Sequence, residues 1–184
     1  LGERECSLQR RNQKVVEETP APNLPQATRE QLHASAVRLG ESVNYQSAGT
    51  VEYIYDDERD EFYFLEVNTR LQVEHGVTEA VFGVDLVAWM VMLAGGEQPP
   101  LDADYRSHGH AMEVRIYAED ALKDFQPSPG ELTEVRFPDN IRLDGWVDTG
   151  TVVSPHYDPM LAKVIVHGRD RADTLEKIDR KSVV

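Results

Sequence analysis

Phe62-Tyr63-Phe64-Leu65-Glu66-Val67-Asn68-Thr69-Arg70-Leu71-Gln72-Val73-Glu74-His75 decides how the rest of the chain is read. From Glu66 every second residue can bind or ionise: Glu66, Asn68, Arg70, Gln72 and Glu74, with Val67, Thr69, Leu71 and Val73 between them. Successive side chains of an extended strand point to opposite faces, so this spacing lines up carboxylate, amide, guanidinium, amide and carboxylate. An edge strand with a wet face shows the same alternation. Here the polar face holds no Ser or Lys and sets a cation between two anions, which favours a functional site.

Working outward, Thr50-Val51-Glu52-Tyr53-Ile54-Tyr55 and Phe62 to Val67 are β-rich runs joined by Asp56-Asp57-Glu58-Arg59-Asp60-Glu61, a hairpin pattern. Pairing Tyr55 with Tyr63 puts Glu52 opposite Glu66, with Cβ atoms roughly 5 Å apart. At an effective dielectric of 20 the two carboxylates repel by about 3 kcal/mol. A cation between them relieves that repulsion, and all-oxygen ligands suit Mg²⁺ or Mn²⁺ held against phosphates. Asn68 could supply a third oxygen. A register slip of one residue would part the glutamates, and loop length alone does not decide between the two.

The 184 residues allow one compact domain or two small ones. A net charge of −14 argues against nucleic-acid backbones and anionic membranes as partners. Cys6 is the single cysteine, which suits a reducing compartment, and the longest apolar run, Leu86 to Ala94, is too short to span a bilayer. With no secretory h-region, a cytoplasmic protein is expected. The chain opens without Met and is expected to be a fragment. Residues 179–184 break a helical pattern and are expected to be a non-native read-through tail.

Cys6 to Glu18 is basic in an acidic protein, and its Arg and Lys with amides can bind a polyanion such as nucleotide phosphates. Thr19 to Pro25 is a Pro-rich connector, and Gln26 to Val43 reads as a helix with Leu32, Ala36, Leu39 and Val43 on one stripe. His33 falls off that stripe and reads as surface. Val77 to Phe82 is a short helix, and Asp85 to Ala94 an apolar one whose Trp89, Met90 and Met92 are expected in the core. Glu97 to Asp104 is turn-rich and marks a boundary. Beyond it, His110 to Tyr117, Leu132 to Phe137, Ile141 to Val147 and Met160 to His167 read as strands, and Asp170 to Ile178 begins a helix. In the first of these, Met112, Val114 and Ile116 share one face, and Glu113, Arg115 and Tyr117 the other. His108-Gly109-His110 lacks the partners a metal site needs.

Phe64 to His75, together with Cys6 to Glu18, Gly109 to Asp120, Gln126-Pro-Ser-Pro-Gly130 and Tyr157-Asp-Pro-Met160, closely resembles the biotin carboxylases, the ATP-grasp parts of biotin-dependent carboxylases. The similarity runs from residue 1 to about 178. Asn12-Gln13-Lys14, Asp124 to Gly130 and Trp146 to Gly150 are most similar to the urea carboxylase branch. The resemblance implies an α+β chain, with residues 1–97 the C-terminal half of an ATP-grasp core and 108–178 the β-rich C-terminal subdomain of the family. It implies a ligase that carboxylates biotin with ATP and bicarbonate, requiring Mg²⁺ or Mn²⁺.

By the same resemblance Glu52, Glu66 and Asn68 match metal ligands, and Lys14 a lysine near the γ-phosphate and bicarbonate. Gln9 and Asn12 match nucleotide contacts, and Ile54 and Leu65 the adenine pocket. Arg70, Gln72 and Val73 match the bicarbonate site. Glu74 matches the base that deprotonates bicarbonate, and Arg115 the cation that steadies the biotin enolate. The implied partners are a biotin carboxyl carrier domain, a carboxyltransferase domain and the missing N-terminal part of the same enzyme, and a homo-oligomer is compatible. The alternatives are the corresponding part of an acyl-CoA or pyruvate carboxylase, or a binding and assembly fragment without turnover. The Gly-rich phosphate loop of the family is not in this stretch, so the fragment alone is expected to be inactive. Two positions depart from the family pattern: Asn12 stands where many relatives have His, and Gly76 where Pro is usual, which loosens the backbone next to Glu74.

Overall fold

Along the chain run β1 (Gln9–Arg10), β2 (Gln13–Lys14), β3 (Val16–Thr19), α1 (Gln26–Ser42), β4 (Thr50–Asp56), β5 (Glu61–Asn68), α2 (His75–Phe82) and α3 (Leu86–Ala94). There follow β6 (His110–Tyr117), β7 (Glu119–Asp120), β8 (Gln126–Pro127), β9 (Gly130–Glu131), β10 (Arg142–Gly145), β11 (Val152–Val153), β12 (Met160–Gly168) and α4 (Arg171–Lys181). The computed structural model describes residues 1–181 except Asp102 and Asn140. Helix α4 continues through Asp179, where the sequence suggests a break, and residues 182–184 of the expected tail lie outside the described residues. Two compact units emerge: Leu1–Glu5 with Thr19–His108, and Cys6–Glu18 with Gly109–Val184. The basic stretch after Glu5 thus belongs with the β-rich part.

The first unit is built on the β4–β5 hairpin and α1. Tyr55 pairs with Phe62, one residue away from the expected partner, and Asp56 with Glu61, so the turn is Asp57 to Asp60. Between Glu52 and Tyr53 the register shifts: Tyr53 faces Phe64 while Glu52 faces Glu66, leaving Leu65 as an extra residue in β5. A β-bulge of this kind absorbs a one-residue mismatch, so the glutamates meet although the pairing nearer the tip differs from the expected one. The alternating register puts Tyr53 and Phe62 on the face toward α1, where their rings pack edge-on at 5.4 Å and Tyr53 OH donates to Ser35 at 3.1 Å. The opposite face carries Glu52, Ile54, Glu66 and Asn68.

Helix α1 buries Thr28 and Leu32, while Val43 at the far end of its predicted stripe is 63% exposed. Gly83, at φ 66°, ends α2 in the left-handed conformation that glycine adopts without a Cβ clash. Asp85 then caps α3 by accepting from Ala88 N at 2.8 Å. The expectation that Trp89, Met90 and Met92 are core is not met: α3 has no fully buried residue, and Val91 is 68% exposed. Apolar composition all round reveals no inward face, so the sequence pattern could not place this helix. Among the described residues no single helix is long and apolar enough to cross a membrane.

In the second unit a four-stranded sheet has the order β10-β12-β6-β3, with β12 antiparallel to both β6 and β10. Ala111, Met112, Ala162, Val164, Ile165 and Val166 are buried in it, and α4 packs on β6 and β12. Thr174 ties α4 down by donating to His110 O at 2.9 Å. Leu132 to Phe137 is not a strand. Its backbone is satisfied instead by the Asp148–Thr151 turn, through Leu132 N to Thr151 O at 2.9 Å and Val135 N to Thr149 Oγ1 at 2.9 Å. Gly109, at φ 70°, is a packing residue: a Cβ there would meet Gly168 O at 2.1 Å. Its neighbour His110 is buried against Glu18 at 2.7 Å.

Glu3 is the anchor that holds the start of the chain to α1. It accepts from Arg29 Nε at 2.8 Å and Ala21 N at 3.1 Å, and His33 Nε2 lies 3.0 Å away, so His33 is a partner and not mere surface. Burial alone would raise the Glu3 pKa. The His33 and Arg29 hydrogen bonds outweigh burial and hold it at about 2. A carboxyl depressed in the folded state stabilises above its unfolded pKa, near 4.5, and that stability is lost as pH falls toward 2. Urea unfolding between pH 5 and about 2.5 should lose on the order of 2 kcal/mol from this group, and Glu3→Gln should flatten that part of the profile. An unchanged slope in the variant would show that Glu3 is not the group responsible.

Candidate active site

In the first unit the polar line does not run on as one strand. β5 ends at Asn68, the chain bends at Arg70, and His75 N closes a turn onto Gln72 O at 3.2 Å. Glu74 occupies the residue before α2. The extended geometry expected from Glu66 to Glu74 is therefore replaced by strand, bend and helix start. Alternation specifies a strand only where a neighbour pairs with it, and β4 begins at Thr50, opposite Asn68.

That break gathers the polar groups. Asn68 Nδ2 donates to Glu52 Oε1 at 3.0 Å and to Glu66 Oε1 at 3.1 Å, so one amide nitrogen sits between the two carboxylates. Gln72, 5% exposed, donates to the same Glu52 oxygen at 2.7 Å. Arg70, itself exposed, reaches Asn68 Oδ1 at 3.5 Å. Glu74 is 2% exposed, and His75 beside it is held by Nδ1 to Gln72 O at 2.8 Å. Val73 is half-buried in the same turn. Ile54 and Leu65 are 56% and 53% exposed, so the hairpin presents two apolar side chains to any ligand that lies along it.

The donor chemistry fits a hard divalent cation. Two facing carboxylates completed by phosphate oxygens are what Mg²⁺ or Mn²⁺ takes in nucleotide sites. Asn68 would add its amide oxygen once the side chain turns, since its nitrogen now lies between the carboxylates. Among the described residues no three His, Cys, Asp or Glu side chains gather to form an all-protein cage. A pair of carboxylates suits a cation that arrives with phosphates.

The second unit orders the other predicted residues. β1 and β2 form a tight hairpin in which Gln9 faces Lys14 directly, which brings two of the predicted groups side by side. Its turn residues, Arg11 and Asn12, have φ of 51° and 63°. Asn tolerates that left-handed region better than most residues, so Asn12 has a conformational reason for its place. The charges of Arg10 and Arg11 are met within the unit: Arg10 pairs with Glu119 and lies 4.0 Å over the Phe125 ring, and Arg11 pairs with Asp124.

Arg115 lies on the polar face of β6, and that face is closed. It pairs with Glu17 of β3, and its Nε is 4.0 Å from Glu113 Oε1; both carboxylates are fully buried. Directly across the strands stands Lys163, another cation, 3.9 Å from Glu113 and 3.3 Å from Asp144. Asp144 also accepts from Arg142 at 3.0 Å. Burial would raise the Asp144 pKa, but Arg142 and Lys163 keep it below the ordinary range. Glu17, Glu113 and Lys163 do not stand out as site residues in the sequence. The alternation of Glu113 and Arg115 with apolar neighbours marks their face, but only the opposing β3 and β12 side chains reveal that it is buried.

Residues 1–102 match the family described as carbamoyl-phosphate synthase L chain, ATP binding domain, and residues 113–181 the biotin carboxylase C-terminal domain. The chain is 60% identical over 181 residues to the urea amidolyase of Saccharomyces cerevisiae, covering 98% of this chain and 10% of that protein. It superimposes on the Kluyveromyces lactis urea carboxylase with a TM-score of 0.95 at 58% identity, covering 98% of this chain and 16% of that one. A 2-oxoglutarate carboxylase biotin carboxylase domain from Hydrogenobacter thermophilus, solved with MgADP, ADP and bicarbonate, matches with a TM-score of 0.93 at 40% identity, covering 98% and 40%. The chain therefore spans about a tenth of the length of the curated relative it resembles at 60% identity.

Removing one member of a buried ion pair leaves the other charge without compensation. Glu17→Ala should lower the stability of the chain by about 3–5 kcal/mol, and Glu17→Gln by less. Urea midpoints measured with and without each substitution check this. A loss below about 1 kcal/mol for Glu17→Ala would mean that Arg115 is held by other groups.

Proposed function

The chain belongs to the biotin carboxylase family, as an ATP-grasp part joined to the family's C-terminal domain, and on that premise we propose that it serves ATP- and bicarbonate-dependent carboxylation of biotin within a urea carboxylase. The observation that carries this reading is the meeting of Glu52 and Glu66 across one nitrogen of Asn68. High identity to urea amidolyase and urea carboxylase favours the urea branch over acyl-CoA or pyruvate carboxylases. The parent protein would hold this stretch beside carrier and carboxyltransferase domains, consistent with its small share of the relatives' length. The single cysteine of these 184 residues suits a reducing compartment, and a cytoplasmic location is our proposal.

The residues divide the work by chemical type. Glu52, Glu66 and the Asn68 amide would hold the divalent cation, which when bound offsets negative charge on the nucleotide phosphates. Arg70 and Gln72 supply donors for bicarbonate, and Val73 adds its backbone beside them. Glu74 takes the bicarbonate proton; set away from bulk water, it exchanges that proton with a bound reactant. The freed anion attacks the γ-phosphorus of ATP, breaking its bond to the bridging oxygen, while Lys14 matches charge developing on the phosphoryl oxygens. Gln9 and Asn12 would contact the nucleotide, and Ile54 and Leu65 would lie along its base. Arg115, fixed in direction by Glu17 and Glu113, would set positive charge beside the ureido oxygen of biotin.

The test uses the full-length protein that carries this stretch. ADP release should require bicarbonate and biotin together, and carboxybiotin should be passed to urea in preference to an acyl-CoA. ADP release indifferent to bicarbonate would overturn the reading. Glu74→Gln keeps the side-chain shape and removes the base, so kcat should fall about 10²-fold or more with bicarbonate KM little changed. Arg70→Ala should lower kcat and raise bicarbonate KM as well. Near-normal kcat in Glu74→Gln would place the base elsewhere.

A further inference from the structure

Arg4 stands in the charged string Glu3-Arg4-Glu5. Its guanidinium is spread over a helix, a strand and a turn. Nη1 donates to Thr78 Oγ1 of α2 at 2.9 Å, and Nη2 to Thr50 Oγ1 at the start of β4 at 3.0 Å. The same Nη2 donates to Gln72 Oε1 at 2.8 Å. Thr78 is 2% exposed and Gln72 5% exposed, so these bonds lie inside the unit. The carboxylation chemistry proposed for the chain uses no group of Arg4.

The Gln72 amide has one orientation, because a guanidinium only donates and a carboxylate only accepts. Its oxygen faces Arg4 and its nitrogen donates to Glu52 Oε1 at 2.7 Å. Asn68 Nδ2 joins the same Glu52 oxygen and continues to Glu66 Oε1. An unbroken line of side chains thus runs from Arg4 through Gln72, Glu52 and Asn68 to the second carboxylate. With Arg4 gone, the Gln72 oxygen loses its guanidinium donor and only the Glu52 carboxylate still orients the amide, so Gln72 is held from one end and not from both. Outer partners of this kind orient the groups that touch a cation and tune its binding.

We propose that Arg4 is a positioning residue for the Glu52–Glu66 pair, acting through Gln72 to set the carboxylate that receives the divalent cation. The inference rests on the reading of that pair as a cation site. It is tested by Mn²⁺ titration of the full-length protein in the presence of ADP, with free Mn²⁺ followed by electron paramagnetic resonance. Arg4→Met should raise half-saturating Mn²⁺ by about 10-fold or more, the range for loss of an outer partner, and Gln72→Met should do the same. The double variant should be no worse than either single one, because both break one line. Additive losses would overturn the route through Gln72, and unchanged Mn²⁺ binding in a folded Arg4→Met would overturn the proposal. If circular dichroism shows Arg4→Met to be unfolded, Arg4→Lys carries the test. It keeps the charge but cannot span three acceptors, so it should weaken Mn²⁺ by about threefold or more, and unchanged binding overturns the proposal. Unmodified protein that binds Mn²⁺ no better than Glu52→Gln would overturn the cation-site reading itself.

Discussion

A carboxylate taken out of water must be met by donors, and this acidic chain takes Glu17, Glu18, Glu74, Glu79 and Glu113 out of water. Much of the architecture answers that demand. Glu18 draws His110 and Arg171 onto β3; burial would raise its pKa, and those partners bring it below the ordinary range. Glu79 turns from α2 to receive Leu86 N at 2.7 Å, which sets where α3 begins. Glu17 and Glu113 hold Arg115 between them. The ion pairs are thus joints between elements, and each one also limits how far the side chains around it can turn.

The two cations Lys163 and Arg115 face each other across neighbouring strands, an arrangement that by itself destabilises a sheet. It persists because carboxylates lie on either side, Asp144 next to Lys163 and Glu17 next to Arg115, with Glu113 reaching both cations. A guanidinium so enclosed has little rotational freedom left. Preorganised charge of this kind needs no rearrangement when a ligand's own charge develops, which is where electrostatic catalysis gains most.

Much of this was legible in the sequence, for identifiable reasons. The hairpin, the Glu52–Glu66 meeting and the helix over Gln26–Ser42 follow from periodicity and turn chemistry. The end of β5 at Asn68 was not legible, because alternation continues through Glu74 while the pairing partner stops. The exposure of Val91 was hidden for the opposite reason, since a uniformly apolar helix has no pattern to read. Arg4, Glu17 and Lys163 could not be recognised in advance, because their meaning lies in residues distant in the chain. Arg4, for one, meets Thr50 and Gln72, 46 and 68 positions away. A charged residue in a polar string and a charged residue in a buried network look the same until the fold joins them.

The bulge at Leu65 separates the hairpin into two halves of different register. On the side away from the tip, face and register belong to the carboxylates; on the tip side they belong to Tyr53 and Phe62 packing on α1. The Asp57–Asp60 turn takes part in no strand pairing, and its last residue, Asp60, is tied to α1, accepting from Thr28 Oγ1 at 2.6 Å. Lengthening a turn of that sort costs only the slowly growing entropy of a longer loop. The tip is therefore an attachment point: a reporter or affinity sequence spliced between Glu58 and Arg59 would ride on the hairpin without altering which residues oppose each other at its root.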